Sequence, residues 1–262
     1  MIDLHAHILP GLDDGPPDLE GSLALARAAV AAGTTTIVAT PHIDLAFGLH
    51  AADRDAPLAT LREGLQREGI PLKVEPGAEI EIGRYLDLGA DELETLTMGS
   101  GPYLMLEPPL SVAGGAFDKF LESLLGRGVR VLIAHPERCP AFQSRPERLA
   151  ELVAAGALGQ VTAGSLAGRF GGRVREVALR MLADGVVHVL ASDTHDANNR
   201  GPALLEGLEA AERDLPGSAA LADWLTVDVP SAILSGGTVP ARPPVAMAPP
   251  RRSWRRRVLG RG

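Results

Sequence analysis

The feature that most constrains this chain is an alternation. Short runs rich in Val and Ile are followed, repeatedly, by amphipathic stretches of helical period. That is the pattern of βα units feeding a parallel sheet. Seven strands are expected, at about residues 1–5, 36–40, 72–79, 103–107, 130–135, 158–161 and 186–192. Helices are expected at 18–32, 55–68, 116–127, 145–155 and 173–184, with three more at 201–213, 217–224 and 230–235. The first helix shows the local logic: Asp18 follows Pro16-Pro17 as an N-cap, Leu19, Leu23, Ala26 and Val30 recur as a buried stripe, and Gly33 stops it. A chain of 262 residues fits one large α/β domain, such as a barrel, or two small ones.

At 45% apolar residues but only 3% aromatic, a core must be built from Leu, Val, Ile and Ala. The single cysteine, Cys139, excludes an intrachain disulfide framework and suits a reducing compartment. No secretory leader and no bilayer-length apolar run is present, so a cytoplasmic protein is expected. The net charge of −8 hides an asymmetry: residues 241–262 carry seven arginines and no acid, leaving residues 1–240 with 18 basic against 33 acidic groups, a net of −15. An acidic body argues against nucleic-acid binding and suits a protein that gathers carboxylates around cations.

The ligand-type residues follow the strand ends. The first strand ends in His5 and His7, the second in His42, the third in Glu79, the fourth in Glu107, the fifth in His135 and the seventh in Asp193 and His195. Positions i and i+2 of a strand share a face, so His5 and His7 can aim at one point. In a closed parallel barrel the C-terminal strand ends converge on one mouth. Five of the seven histidines lie there, which surface or core histidines have no reason to do. Imidazole and carboxylate without thiolate suit Mn, Fe or Zn. Eight such residues exceed one ion's needs, so two or three ions with a bridging carboxylate are expected. Clustered metals favour hydrolysis at phosphorus. Arg138, three residues after His135, and Arg200, five after His195, are placed to hold phosphate oxygens.

Cys139 and Arg145 have the Cys-x5-Arg spacing of thiolate phosphatases. With 23 arginines in the chain the spacing says little, Pro140 removes a backbone donor from the loop, and no glycine allows tight wrapping. Cys139 is read as a bystander. His188, inside a strand, is read as structural, and His50 as a solvated loop histidine.

The segments Asp3-Leu-His-Ala-His-Ile-Leu-Pro-Gly-Leu-Asp-Asp-Gly-Pro16, Ala39-Thr-Pro-His42, Gly77-Ala-Glu-Ile80, Leu106-Glu-Pro108, Ile133-Ala-His-Pro-Glu-Arg138, Gly164-Ser-Leu-Ala-Gly-Arg-Phe-Gly171 and Ala191-Ser-Asp-Thr-His195 occur in this order. On them the chain resembles the polymerase-and-histidinol-phosphatase (PHP) superfamily, and within it the CpsB/YwqE-type bacterial protein-tyrosine phosphatases. The resemblance spans about residues 1–237. It implies a distorted seven-stranded (β/α)7 TIM-like barrel with up to three metals, usually manganese. It implies His5, His7, Glu79 and Asp193 on one ion, Glu79, Glu107 and His135 on a second, and His42, His195 and Asp14 on a third. Asp13, next to Asp14, is read as turn chemistry. Arg138 and Arg200 match the family's phosphate-binding arginines. The implied substrates are phosphotyrosines on bacterial tyrosine kinases that control capsule and exopolysaccharide synthesis. Two features depart from the family. Asp196 stands where Asn is usual, adding negative charge beside the mouth, and a basic tail follows.

Residues 238–262 read as a Pro/Arg-rich, disordered tail. Its Arg run with Trp254 could dock on an acidic partner or an anionic membrane surface, or lie in the mouth. Two rival readings of the whole remain at this point: a phosphoesterase of the same barrel acting on a small phosphomonoester such as histidinol phosphate or on nucleic-acid ends, and a kinase-binding scaffold with weak catalysis. Oligomeric state is not legible.

Overall fold

Nine short parallel strands stand where seven were expected, and two breaks of two residues each account for the difference. The computed structural model describes residues 1–111 and 117–245. Its strands are β1 (Ile2–Ala6), β2 (Thr36–Ala39), β3 (His42–Ile43), β4 (Lys73–Pro76), β5 (Glu79–Glu81), β6 (Tyr103–Glu107), β7 (Arg130–Ile133), β8 (Leu158–Thr162) and β9 (Val189–Ala191). One ladder runs β1-β2-β4 and the other β3-β5-β6-β7-β8-β9. β2 and β3 are one strand interrupted around Pro41, and β4 and β5 one strand interrupted after Pro76. Pro41 has no N–H to give the ladder at the first break, and the second falls at Gly77-Ala78. Single bonds carry the pairing across the gaps, from Thr40 N to the Ala6 carbonyl (3.0 Å) and from Glu79 N to the Pro41 carbonyl (3.1 Å).

The circle closes between β9 and β1. Ala6 pairs with Thr194 in an isolated parallel bridge, Asp193 N donates to the His5 carbonyl and His7 N to the Thr194 carbonyl, each at 2.9 Å. Counting each broken strand once, seven strands ring a distorted α/β barrel. Asp3 fastens the same seam from inside: its carboxylate accepts from Ser192 N (3.0 Å) and Ser192 Oγ (2.5 Å). Burial pushes its pKa up to about 6, against the pull of those bonds.

The long helices fall close to expectation. Asp18 caps Leu19–Ala31 by accepting from Gly21 N at 2.9 Å. The buried face of that helix is rotated from the one expected: Leu23, Leu25, Ala26 and Ala29 are buried, while Leu19 and Val30 are only partly covered. The helix expected at 217–224 resolves into a 3-10 turn at Ser218–Leu221 and a π segment at Trp224–Asp228 that runs into Val229–Ser235. Pro230, just inside that last helix, cannot donate back to the preceding turn, which explains the irregularity. The apolar interior is Leu, Ile, Val, Ala and Met with few aromatics, Phe142 being the one aromatic among the largest fully buried side chains.

The chain continues against the body past Gly237. Trp224 Nε1 donates to the Pro240 carbonyl at 3.1 Å, Arg242 to the Leu182 carbonyl at 2.9 Å, and Val239 and Val245 pack on the core. The rest of the tail, with Trp254 and its arginine run, lies outside the described residues. Among those described, no helix is long and apolar enough to cross a membrane.

Candidate metal centre

The strand ends converge as the alternation requires. His5 Nε2 and His7 Nε2, from the end of β1, lie 3.3 Å apart. Glu79 Oε2, from β5, is 3.2 Å from the first and 3.3 Å from the second. Asp193 Oδ1, after β9, is 3.6 Å from both. Donors held in a tetrahedron about 2.0–2.2 Å from one ion stand about 3.4 Å from one another. His5, His7 and Asp193 together fit a single divalent ion, with Glu79 beside the two histidines. The other oxygen of Glu79 lies 2.7 Å from His135 Nε2, which is 3.7 Å from Glu107 Oε1. On the outer side Asp14 Oδ1 lies 3.1 Å from His195 Nε2 and 3.5 Å from His42 Nε2, and His42 Nδ1 lies 3.2 Å from Glu79 Oε2. All nine ligand-type residues expected from sequence thus meet at one mouth, with Glu79 at its centre.

The charges there compete. Burial alone pushes the His5 pKa down, but the Glu79 and Asp193 carboxylates more than reverse it, to about 9. His7 is likewise raised well above its ordinary value, burial being outweighed by Asp13 and Glu79. Burial would raise Glu79, yet the surrounding imidazoles hold it well below the usual range. Glu107 goes the other way, to about 8, through burial and then the charge of Glu79. On the outer side burial lowers both His42 and His195.

Two backbone features mark the same place. His135 (φ 29°) and Asp193 (φ 52°) are the non-glycine residues with positive φ among those described. That is strained backbone of the kind that clusters at functional sites.

Asp193 uses its second oxygen differently. Oδ2 accepts from Arg138 at 2.7 Å and from Arg200 at 2.8 Å, so both guanidiniums stand beside the metal-type cluster. The Arg138 guanidinium also lies 4.8 Å over the Phe170 ring. Glu137, fully buried, accepts from Thr162 N (3.0 Å) and Ser165 Oγ (2.6 Å). The Ser165–Phe170 part of the sequence thereby packs the Arg138 turn in place.

Asp13, Gln160 and Asp196 differ from what the sequence suggested, while His188, His50 and Cys139 match it. Asp13 is more than turn chemistry: Oδ2 lies 2.7 Å from His7 Nδ1 and accepts from His42 N at 3.2 Å. Gln160, which attracted no attention in the sequence, places Oε1 3.0 Å from His5 Nδ1. The carboxylate of Asp196 is engaged locally, accepting from Asn198 N (2.7 Å), Asn199 N (2.5 Å) and Arg200 N (3.2 Å). It folds the turn that delivers Arg200. His188 accepts from Gly159 N at 3.3 Å, and burial lowers its pKa to about 4, a neutral structural histidine. His50 is exposed and sits between Glu92 (2.9 Å) and Arg84 (3.2 Å). Cys139 is 1% exposed and burial raises its thiol pKa, the opposite of what a nucleophile needs.

Residues 1–235 match the family model for capsular polysaccharide synthesis, CpsB/CapC. The tyrosine-protein phosphatase YwqE of Bacillus subtilis is 37% identical over 82% of this chain and 85% of its own length. The tyrosine-protein phosphatase CpsB of Streptococcus pneumoniae is 28% identical over 89% of this chain and 98% of its own. A crystal structure from work on YwqE and CpsB, described there as unique metal-dependent tyrosine phosphatases, superposes with a TM-score of 0.79 at 32% identity, covering 95% of this chain and 98% of that one. The chain belongs to the CpsB/CapC family of capsular polysaccharide synthesis proteins.

Proposed function

We propose that this protein is a cytoplasmic metal-dependent phosphatase that hydrolyses phosphotyrosine on protein, with a bacterial tyrosine kinase of capsule or exopolysaccharide synthesis as its substrate. The observation that carries the reading is the division of Asp193. One oxygen faces the His5 and His7 nitrogens at 3.6 Å, and the other carries both Arg138 and Arg200. A metal cluster and two planar cations thus meet at one point, where a phosphoryl group has oxygens for each. Two or three divalent ions suit the donors, manganese first, with iron and zinc compatible. In this reading His5, His7, Glu79 and Asp193 hold one, Glu79, Glu107 and His135 a second, and Asp14, His42 and His195 a third.

Bound ions would supply a nucleophile from water near neutral pH and draw charge from the phosphoryl oxygens. The rest falls to the chain. Arg138 and Arg200 turn from Asp193 Oδ2 to hold two phosphoryl oxygens in line for displacement. The Phe170 ring lies under the Arg138 guanidinium. Tyrosine is a good leaving group, its phenol having a pKa of about 10, so little protonation is required of the mouth. The buried Cys139 offers no thiolate for a phosphocysteine, and the reaction as proposed passes through no phosphoenzyme.

Hydrolysis of a phosphotyrosine peptide under chelation, with manganese add-back and Cys139→Ser in parallel, tests the reading. Activity should vanish with chelator, return with metal and survive Cys139→Ser. Chelation-resistant activity lost in Cys139→Ser would overturn it, and a preference for a metabolite phosphate over the peptide would move the substrate class.

A further inference from the structure

We infer that Gln160 is a positioning residue that fixes which nitrogen of His5 faces the metals and ties the His5 and His135 ends of the cluster together; this rests on the metal reading above. Gln160 sits in β8 and is fully buried. Its Oε1 lies 3.0 Å from His5 Nδ1, two strands away past β9, and accepts from His135 N at 3.3 Å. An amide can be turned end for end, but a backbone N–H can only donate, so the His135 contact requires oxygen at that position. The oxygen in turn requires a proton on His5 Nδ1. That leaves Nε2 as the atom facing His7, Glu79 and Asp193, the one atom a metal can use.

The amide pays for this with a buried Nε2 that has no hydrogen-bond partner. Buried polar atoms are rarely left so, and the oxygen's two bonds explain why this one is. The second bond matters for another reason. It restrains His135 where its backbone is strained, at φ 29°. His7 uses a carboxylate, Asp13, for the same task. Gln160 does it without adding a charge beside Glu79 and Asp193.

The test uses Zn2+ alone as probe on the full chain, with affinity measured by chelator competition. Gln160→Met keeps the length and removes the acceptor, and should weaken zinc binding by about 10- to 100-fold. Gln160→Glu restores an acceptor and should bind far closer to wild type. Equal zinc affinity in wild type and Gln160→Met would overturn the inference, whereas failure of the wild type itself to bind zinc would overturn the metal reading instead. Should Gln160→Met not fold, long-range ¹⁵N–¹H spectra of the zinc-loaded wild type decide the matter. A proton on His5 Nδ1 supports the assignment, and a proton on Nε2 with Nδ1 bare refutes it.

Discussion

The mouth has two halves made of the same residue types and in opposite physical states. In the deep half, His5, His7, Glu79, His135 and Asp193 have side chains no more than 2% exposed. At the rim, His42 is 16% exposed and Asp14 47%. The deep histidines His5 and His7 have raised pKa values and the rim histidines His42 and His195 lowered ones. The cause is Glu79, Asp13 and Asp193: the deep imidazoles lie against buried carboxylates whose attraction exceeds the cost of burial, whereas at the rim desolvation wins. Without metal the deep half is thus an array of paired charges, and the rim a set of neutral nitrogens beside a solvated acid. Such an array is costly to leave half-made, so the deep half should hold its ions tightly and the rim should exchange them.

The largest effect should come from Glu79→Gln. Glu79 touches four imidazoles, and losing its charge removes the common ligand of both halves. Several kcal/mol of transition-state stabilisation is at stake, about 10³-fold in kcat/KM, with loss of bound metal measurable by atomic emission. Retention of both metal and activity would break the picture of one shared centre. Next comes Arg138→Ala or Arg200→Ala. A charge-assisted hydrogen bond contributes about 1.5–3 kcal/mol, so each should cost about 10- to 100-fold in kcat/KM with metal content kept. Metal loss in either variant would mean that the arginines serve Asp193 rather than substrate.

The pH dependence sharpens the contrast. Metal must displace the His5 proton, whose pKa is about 9, so deep-site affinity should rise up to tenfold per pH unit for each proton released, from pH 6.5 to about 9. The rim histidines already lie below their ordinary value and should give a flat response in that range. Stability of the chelated protein runs the other way. His5 is raised above its unfolded value, so its contribution is fully present below about pH 6.5 and is lost as pH climbs through 9. Asp193, lowered to about 2, contributes above its unfolded value of about 3.8 and loses that contribution only in acid. Urea titrations in chelator at pH 6 and pH 9 should show the second midpoint lower. Equal midpoints would mean that the deep charges are not paired as described.

What the sequence made legible was chemistry at strand ends. Ligand-type side chains such as Glu107 and His135 stood out because a carboxylate or imidazole has little reason to end an apolar run, and the alternation placed every such end on one face. The barrel breaks were less legible. Pro41 and Pro76 were visible, but a periodicity reading runs straight through a two-residue interruption. The short helices at Ile82–Tyr85, Ala90–Thr95 and Ala163–Ala167 are too brief for a helical period to register. The supports of the ligands were least legible of all. Asp13 looks like any turn aspartate until His7 and His42 fold onto it, and Gln160 is one neutral amide in an ordinary strand, meeting His5 at a separation of 155 residues. Such contacts are set by closure of the barrel, which no local pattern records.

The smallest effect is expected at Asp14. Its carboxylate lies 3.1 Å from His195 and 3.5 Å from His42, and its pKa is held low: burial works against this, but the hydrogen bond and charge of His195 and the other imidazoles outweigh it. It is also half in water, where a ligand's loss can be made good by solvent and a charge contributes less. Asp14→Asn should therefore lower turnover by about tenfold or less, as expected for losing an interaction near 1 kcal/mol. The loss should be recovered by excess manganese, with the deep ions unchanged in stoichiometry. If Asp14→Asn instead emptied the whole centre, or if no metal concentration restored it, the rim would not be an exchangeable position and the two halves would have to be one cooperative cluster.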